Sequence, residues 1–365
     1  MRDAIIIGGG IAGASIAHRL HHRGLDTLLI EADAICSGGS AAAGAFLSPK
    51  ISKPSPYKTY LNEALTFSLA FYQTHFPDIL RKAGLYKIPL DEEDNIRCRG
   101  YEPYIDFPWM HAEDGYFFPE AGIIDPAALT HALLSGIDLI EKSPVDTIRH
   151  LDGCWILNET YRAKYLILAT GAAPDLLPLP YLPRKKIGGY RYDVTFEGMQ
   201  RLHGNRHKSV SVSTYLPHAQ KVIVGATHIR GVCDLDTAAD EDRFGLIDAA
   251  GEIVPMEDLR IEGAYTGYRS FTYDYFPILG PVVDAAKTLQ RYPYLRSGTK
   301  VPPERFLYYP NLFMHTGLGS RGFVFAPFNA AKLCDQLLEE RPIDSALLPA
   351  TRFLKWARRI GIPQR

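Results

Sequence analysis

The chain begins with two short apolar runs on either side of a helical pattern. Ala4–Ile7 is continuously apolar, which is typical of a strand that is buried on both faces. The next residues predict a helix over Ile11–Arg23, closed by Gly24, and a second strand at Thr27–Ile30. Strand, helix and strand in this order predict a βαβ unit.

Later segments carry the spacing or the start signals of further helices. Helical spacing recurs over Asn62–Gly84 and over Phe325–Glu339. Asp125 and Pro126 predict another helix, which runs to about Ser135, because aspartate is a good N-cap and proline suits the first helical position.

The remaining segments predict strands and one irregular region. From about residue 188 to 267, aromatic-rich runs such as Tyr190–Phe196 and Lys221–Thr227 alternate in polarity, which indicates an antiparallel sheet. Leu85–Phe118 is rich in proline, aromatic and charged residues and is predicted to be irregular. Other predicted strands are Val145–His150, Cys154–Leu157, Tyr161–Ala169 and Asn311–His315.

These elements predict an α/β fold combined with antiparallel β structure. With 365 residues, the chain is too long for one small core and suits two domains. We predict a Rossmann-like domain of residues 1–60, 120–182 and 265–365. An antiparallel-sheet domain of residues 61–119 and 183–264 is predicted to be interleaved with it and to hold the substrate.

Composition narrows the possible functions and compartments. The formal net charge is −1, so the overall balance demands neither nucleic acid nor an anionic membrane, although a local basic patch can still bind RNA. No segment has about 18 uninterrupted apolar residues, so no membrane span is predicted. Residues 1–17 are interpreted as a strand and a glycine turn rather than a signal peptide.

The cysteines predict a reducing compartment, with the cytoplasm as the default. Their number, 5, is odd, and they are scattered without a CxxC motif. This pattern argues against a disulfide framework and against a zinc site, and no metal is predicted. The cysteines are Cys36, Cys98, Cys154, Cys233 and Cys334.

Gly8, Gly10 and Gly13 have GxGxxG spacing between the first predicted strand and the first predicted helix. The first glycine permits the tight turn, the second lets a pyrophosphate approach the backbone, and the third lets helix and strand pack closely. The start of the helix then presents free N–H groups to the phosphates. Glu31 ends the second strand, where a carboxylate receives ribose hydroxyl groups. The motif predicts a dinucleotide site.

Further glycine-rich segments favour FAD over NAD as the dinucleotide. The small residues of Ser37–Phe46 suggest that a large planar ligand lies against the backbone; a flexible linker is the alternative. Thr170 and Gly171 end an apolar strand, and the turn Gly317–Gly322 precedes the last predicted helix. Together with the N-terminal glycine turn, these last two segments make three glycine-rich contact points along the chain, which fit an extended FAD. The predicted FAD contacts are Gly8, Gly10, Ile11, Ala12, Gly13, Glu31, Ser37, Ser40, Ala41, Gly44, Val145, Thr170, Gly171, Gly317, Leu318, Gly319, Ser320, Arg321 and Gly322.

Together these motifs resemble the D-amino-acid oxidase and glycine oxidase superfamily of flavoproteins, over nearly the whole chain. Ser40–Gly44 is similar to the loop beside the flavin, and Gly267–Gly280 to a late motif in which an arginine holds the substrate carboxylate. The resemblance implies a FAD domain of the D-amino-acid oxidase and glutathione reductase type, with Arg269 as the carboxylate clamp. A structural or surface arginine is the alternative. The turn Gly317–Gly322 has no cysteine, so the FAD is predicted to be bound non-covalently.

Within that superfamily the chain is most similar to the C-terminal FAD domain of the bifunctional enzymes that make 5-methylaminomethyl-2-thiouridine in tRNA. The loop Ser37–Gly44 departs from this branch and resembles the wider superfamily. The local similarities are Phe46–Pro49, Gly225–Gly231, Gly319–Gly322 with Ala326 and Pro327, and a basic tail with Trp356, Arg358 and Arg359.

This resemblance implies oxidation of the carboxymethylaminomethyl group of a tRNA wobble uridine to aminomethyl, with release of glyoxylate. Arg269 would hold the carboxylate, and Tyr215 is predicted to add a hydrogen bond, with an ordinary sheet tyrosine as the alternative. The anticodon region of tRNA is the expected partner. The related enzymes usually carry an N-terminal methyltransferase domain, which this sequence does not contain, so a separate methyltransferase is expected to act on the product.

Two other functions stay open, and both keep the flavin. One is an oxidase or dehydrogenase of free glycine, sarcosine or a D-amino acid, which predicts a small closed pocket. The other is an RNA-binding or scaffold protein that keeps FAD only structurally. His228 and His315 lie near glycine motifs and are interpreted as structural histidines rather than bases. The basic clusters that would meet phosphates, or else form solvated surface, are Arg184, Lys185 and Lys186; Lys50, Lys53 and Lys58; and Arg352, Lys355, Arg358, Arg359 and Arg365.

Overall fold

The computed structural model describes residues 1–230, 235 and 240–360. Gly231, Cys233 and Arg365 lie outside the described residues. The helices are α1 Ile11–His22, α2 Pro56–His75, α3 Glu92–Arg99, α4 Pro126–Leu133, α5 Asp240–Gly251, α6 Ala285–Arg291, α7 Gly322–Glu339 and α8 Pro349–Ile360, with short 3-10 helices at Glu102–Tyr104, Met199–Arg201, Pro293–Ser297 and Pro303–Arg305.

The strands form two large sheets and one small one. They are β1 Arg2–Ile7, β2 Thr27–Ile30, β3 Phe46–Leu47, β4 Leu80–Arg81, β5 Leu85–Lys87, β6 Met110–Ala112, β7 Gly115–Phe118, β8 Gly122–Ile124, β9 Asp138–Ile140, β10 Ile148–Leu151, β11 Cys154–Leu157, β12 Tyr161–Leu168, β13 Lys185–Thr195, β14 Asn205–His207, β15 Ser211–Val212, β16 Val222–Gly225, β17 Ile229–Arg230, β18 Arg260–Phe271, β19 Ile278–Val283 and β20 Tyr308–Thr316.

The first sheet has a parallel centre, in which β2 and β12 flank β1. Strand β20 pairs in parallel with the C-terminal end of β12. Strand β1 separates two cores. Its Ile6 faces the core formed with α1, α2, α4 and α7, whereas Ile5 and Ile7 face the core formed with α6 and α8. This burial on both faces explains why Ala4–Ile7 is continuously apolar. It confirms the predicted βαβ unit, with α1 ending at His22 just before Gly24.

The second sheet confirms the predicted antiparallel structure. Its longest pair is β13 with β18, which runs from Lys185 opposite Phe271 to Thr195 opposite Arg260. The sheet continues through β16, β15, β14, β5, β7 and β6, and β5 and β14 are its one parallel pair among the described strands. The predicted domain boundaries stay a prediction; β18 continues through the last of them, between residues 264 and 265.

One predicted helix has different bounds, and one prediction of irregular structure was wrong. The helix predicted over Asn62–Gly84 is α2, which begins at Pro56 because the hydroxyl of Ser55 caps it, and ends at His75 just before Pro77. The region predicted to be irregular contains β5, α3, β6 and β7. Its strands have only 3 or 4 residues each, too few for a clear local pattern. Strands β6 and β7 form a local hairpin, whereas β5 pairs with β7 and with the distant β14.

Smaller deviations occur at other predicted elements. Asp125 caps α4 as predicted, through a hydrogen bond from the N–H of Ala128, but the helix ends at Leu133. The strand predicted from Val145 begins at Ile148. Four of the cysteines, Cys36, Cys98, Cys154 and Cys334, are free and buried. Within the described parts of the chain, no helix is both long enough and apolar enough to cross a membrane.

Candidate active site

The turn between β1 and α1 has room for backbone but not for side chains. Gly8 has a φ of +112°, and a Cβ atom on it would lie 2.4 Å from the carbonyl oxygen of Ala169. A Cβ on Gly13 would lie 1.9 Å from the carbonyl oxygen of Gly8, which is why helix and strand can pack so closely. Only backbone fits in this turn, which leads directly into the start of α1, where an anion is stabilised.

Two side chains fix this turn from outside. The hydroxyl of Ser40 accepts a hydrogen bond from the N–H of Ile11 over 2.9 Å. The loop Ser37–Phe46, called the small-residue loop below, therefore reaches the first residue of α1. The carboxylate of Glu31 accepts hydrogen bonds from the N–H groups of Gly9, at 2.5 Å, and Asp33, at 3.0 Å. These contacts hold Glu31 at the end of β2 with its carboxylate beside the glycine turn.

A cavity of about 1600 Å³ joins the glycine turn to the second sheet. Ordinary small-molecule pockets measure about 300–1,000 Å³, so this one has room for a dinucleotide and a further ligand. All predicted FAD contacts line it except Gly13 and Ala41. Arg269 also lines it. The glycine backbone, the fixed carboxylate of Glu31 and the volume fit FAD.

Arg269 lies on β18 with 7% of its surface exposed. Its Nη1 donates to the carbonyl of Thr227 over 2.8 Å, and its guanidinium packs over Gly189, where a Cβ would come within 2.9 Å of both terminal nitrogens. Burial lowers the pKa of Arg269 to about 10, so the group stays charged at neutral pH. No carboxylate of the described residues pairs with it. The guanidinium is therefore a buried cation whose remaining donors suit an anion.

A second arginine enters the cavity from the late glycine turn. Arg321 precedes α7, and its Nη1 donates to the carbonyl of Ser48 over 2.6 Å. Burial lowers its pKa, and nearby Lys50 has a pKa that burial and the charge of Arg321 both lower. These cations and Arg269 all line the cavity.

Of the three other residues predicted near the site, the structure places one in the lining of the cavity and two outside it. Tyr215 does not line the cavity; it packs against the core of the second sheet. His315 is fully buried outside the cavity, and His228 lines it together with Arg269. Burial, with the charge of Arg269 as a further cause, lowers the pKa of His228 to about 4. His228 is therefore neutral at pH 7.

One wall of the cavity was not predicted from the sequence. It is formed largely by Leu85–Phe118, the region predicted to be irregular. Lys87 on β5, Arg97 on α3 and Tyr101 line it, as does His207 on β14. One signal was present: Asp91 caps α3, whose first turn is acidic and whose last turn is basic. The pairing of β5 with β14 had no signal, because the two strands are far apart in the sequence.

Several predicted phosphate-binding residues have partners within the protein. Arg184 pairs with Asp175 at 2.5 Å, and the buried ammonium of Lys58 pairs with Asp106 at 3.1 Å. Arg352 is largely buried and pairs with Asp274 at 3.1 Å. Lys50, Lys53, Lys185, Lys186, Lys355, Arg358 and Arg359 remain exposed.

The protein family is decided by comparison with known proteins. The model of the DAO family, described as FAD dependent oxidoreductase, matches residues 3–337. The chain belongs to this family. It is an FAD-dependent oxidoreductase, and the cavity that the three glycine-rich segments line is its candidate cofactor site.

Curated relatives of this FAD-dependent oxidoreductase include two proteins named tRNA 5-methylaminomethyl-2-thiouridine biosynthesis bifunctional protein MnmC. The one from Saccharophagus degradans is 26% identical over 95% of this chain and 54% of its own length. The one from Legionella pneumophila (strain Corby) is 27% identical over 97% of this chain and 57% of its own length. The chain therefore spans little more than half the length of these relatives.

Solved structures confirm the fold. Glycine oxidase from Geobacillus kaustophilus superposes with a TM-score of 0.72 at 22% identity, covering 94% of this chain and 96% of that one. Iminodiacetate oxidase from Chelativorans sp. BNC1 gives a TM-score of 0.72 at 18% identity, covering 95% and 98%. At these identities the likeness concerns the fold alone.

Proposed function

We propose that this oxidoreductase acts on a CH–NH group of tRNA. It would oxidise the carboxymethylaminomethyl group of a wobble uridine to aminomethyl and release glyoxylate. The observation that carries the proposal is the buried guanidinium of Arg269, which lines a cavity with room for FAD and a further ligand. The names of the curated relatives support tRNA as the substrate class.

The residues of the chain would bind, orient and shield the substrate. Arg269 binds the carboxylate through two parallel hydrogen bonds, and Gly189 leaves the guanidinium space to do so. Neutral His228 adds no charge beside Arg269, so Arg269 supplies the positive charge that the substrate carboxylate meets there. When bound, FAD would supply the acceptor for a hydride from the carbon between nitrogen and carboxylate, and water would hydrolyse the resulting substrate imine to the amine and glyoxylate.

The cofactor would be held by the residues that already fix the glycine turn. Glu31 would receive ribose hydroxyl groups, and the start of α1 would receive the pyrophosphate. Arg321 and the turn before α7 would stabilise negative charge on the flavin ring. We further propose that the FAD is dissociable, that the protein is cytoplasmic, and that a methyltransferase acts on the product.

Anaerobic flavin bleaching tests this function. The yellow protein is mixed with tRNA that carries carboxymethylaminomethyluridine, and the visible flavin band is followed. We expect fast bleaching with this tRNA and none with glycine, sarcosine or D-alanine. Bleaching by a free amino acid but not by the tRNA would overturn the proposal and favour the free amino-acid oxidase. Release of glyoxylate, measured separately, identifies the bond that is cleaved.

A further inference from the structure

The loop between β18 and β19 exposes two tyrosines beside the cavity. Tyr273 is 64% exposed and Tyr275 is 62% exposed, the two most exposed aromatic side chains among the large apolar residues of the described chain. Tyr275 also adopts a φ of 65°, in the left-handed region that a bulky residue rarely occupies.

This loop is held in place despite its exposure. Arg352 donates to the carboxylate of Asp274 over 3.1 Å and to the carbonyl of Phe276 over 2.8 Å. The hydroxyl of Thr272 donates to the same carbonyl over 2.8 Å. The tyrosines are therefore presented on a fixed support, and the charge of Asp274 is neutralised from within the protein.

Lysines flank the tyrosines on both sides. The ammonium of Lys185 lies 4.3 Å from the ring centre of Tyr273. On the other side, the rings of Tyr275 and Tyr57 are 6.0 Å apart, and the ammonium of Lys50 lies 5.8 Å from the ring centre of Tyr57. We call the set Lys50, Tyr57, Tyr273, Tyr275, Lys185 and Lys186 the tyrosine strip.

The tyrosine strip is continuous with the candidate active site. Lys50 and Lys186 both line the cavity. Lys186 is paired with Ser270 on β18, directly after Arg269. A ligand whose reactive group reaches Arg269 would therefore leave the cavity beside the exposed tyrosines.

We propose that the tyrosine strip is a stacking surface for unpaired bases of the anticodon loop, with its lysines on the adjoining phosphates. This inference rests on the proposed function and adds the part of the protein that would hold the RNA outside the cavity. Exposed aromatic rings between cations are the arrangement that binds single-stranded nucleic acid, because rings stack on bases of any sequence while cations follow the backbone. A double helix offers no unstacked base to such rings.

Binding of a fluorescent anticodon stem–loop RNA with an unmodified wobble uridine tests the surface. The FAD-loaded double variant Tyr273→Ala, Tyr275→Ala should bind this RNA at least about tenfold more weakly than the wild type, because each base–ring stack contributes a factor of this order. Tyr273→Phe, Tyr275→Phe keeps both rings and should bind within about twofold of the wild type. Tyr294→Ala, which removes an exposed tyrosine outside the strip, should leave the affinity unchanged.

A second measurement separates stacking from simple attraction of charge. Lys185→Ala should reduce the slope of log affinity against log salt by about 0.7, the value for one phosphate contact on a single strand. A fully paired RNA duplex should bind more weakly than the stem–loop and should not respond to the tyrosine substitutions. Equal loss with alanine and phenylalanine, or equal binding of duplex and stem–loop, would overturn the stacking surface.

The two proposals fail in different ways. If modified tRNA bleaches the flavin but the alanine double variant keeps the wild-type RNA affinity, the stacking surface is wrong and the proposed function stands. The strip would then suit a protein partner instead. If no tRNA bleaches the flavin, the proposed function is wrong whatever the tyrosine variants do.

Discussion

The side-chain amide of Asn329 donates a hydrogen bond to Nε2 of His315 over 3.3 Å, in the core behind the glycine turn. Nδ1 of the same ring lies 3.2 Å from the carbonyl oxygen of Ala12, in the first turn of α1, and donates to it. The hydroxyl of Tyr60 donates to the amide oxygen of Asn329. This chain of hydrogen bonds requires a neutral His315, and it ties α2, α7 and β20 to the helix that would receive the pyrophosphate.

The stability of the protein should therefore fall in acid through His315. Burial lowers the pKa of His315 to about 4, against about 6.5 in an unfolded chain. The unfolded chain takes up a proton that the folded chain excludes, so this stabilisation is complete above about pH 6.5 and is lost as the pH falls to about 4. We expect a loss of up to about 3 kcal/mol in the free energy of unfolding from this group.

Urea unfolding of the FAD-saturated protein, repeated at several pH values in this window, measures the effect. His315→Gln should be less stable than the wild type at neutral pH but should lose less stability on acidification. The exposed His131 offers a matched control, and His131→Gln should keep the wild-type dependence on pH. An unchanged pH dependence in His315→Gln would contradict the role given to this ring.

Removal of the guanidinium of Arg269 should impair catalysis without releasing the cofactor. Arg269→Gln leaves the substrate carboxylate in the cavity without its cation, and we expect kcat/KM to fall about 100-fold. The FAD content and the visible flavin spectrum should stay close to those of the wild type. Arg260→Gln, on the exposed end of the same strand, should keep full activity. Full activity of Arg269→Gln would remove the basis for carboxylate recognition at this residue.

Two neighbouring glycines of the small-residue loop should respond differently to alanine. A Cβ on Gly39 would lie 2.4 Å from the carbonyl oxygen of Tyr268, whereas a Cβ on Gly38 meets nothing within 4 Å. Gly39→Ala must push the loop away from β18, so we expect FAD affinity to fall at least about tenfold and the melting temperature to drop. Gly38→Ala should resemble the wild type in a titration of the apoprotein with FAD. Similar FAD affinities for the two variants would show that FAD binding does not require the close contact between Gly39 and Tyr268.

A buried ion network should be essential for folding stability. Lys221 lies 2.6 Å from the carboxylates of both Asp125 and Asp193, and Asp193 also pairs with Arg191, which donates to the carbonyl of Ala43 in the small-residue loop. Lys221→Met leaves two buried carboxylates short of a cation, and we expect a loss of about 3–5 kcal/mol in the free energy of unfolding.

A surface ion pair provides the control for this network. Lys82 pairs with Glu120 at 2.6 Å, but the side chains are 37% and 48% exposed. Lys82→Met should therefore cost about 0–1 kcal/mol. Thermal unfolding of the two variants, with FAD at the same concentration, compares the costs. Equal losses of stability in the two variants would mean that the buried network contributes no more to folding than an exposed ion pair.

The sequence by itself determined the nucleotide-binding half of the protein. Gly8, Gly13 and Glu31 are close together in the chain, and their spacing encodes a turn that only backbone can occupy and a carboxylate at a strand end. The apolar run of β1 and the capping of α4 by Asp125 are equally local. Local sequence is sufficient there because the contacts form between neighbouring segments of one βαβ unit.

The tertiary structure alone decided which polar groups meet in the cavity and which find partners elsewhere. The predicted surface residues Lys58, Arg184 and Arg352 form internal ion pairs, and Tyr215 packs in the second sheet away from Arg269. The cavity wall from β5 and α3 depends on β5 pairing with β14, more than one hundred residues later in the chain. Such pairings join segments whose own patterns are too short to predict them, because a strand of three residues gains its stability only from the distant partner.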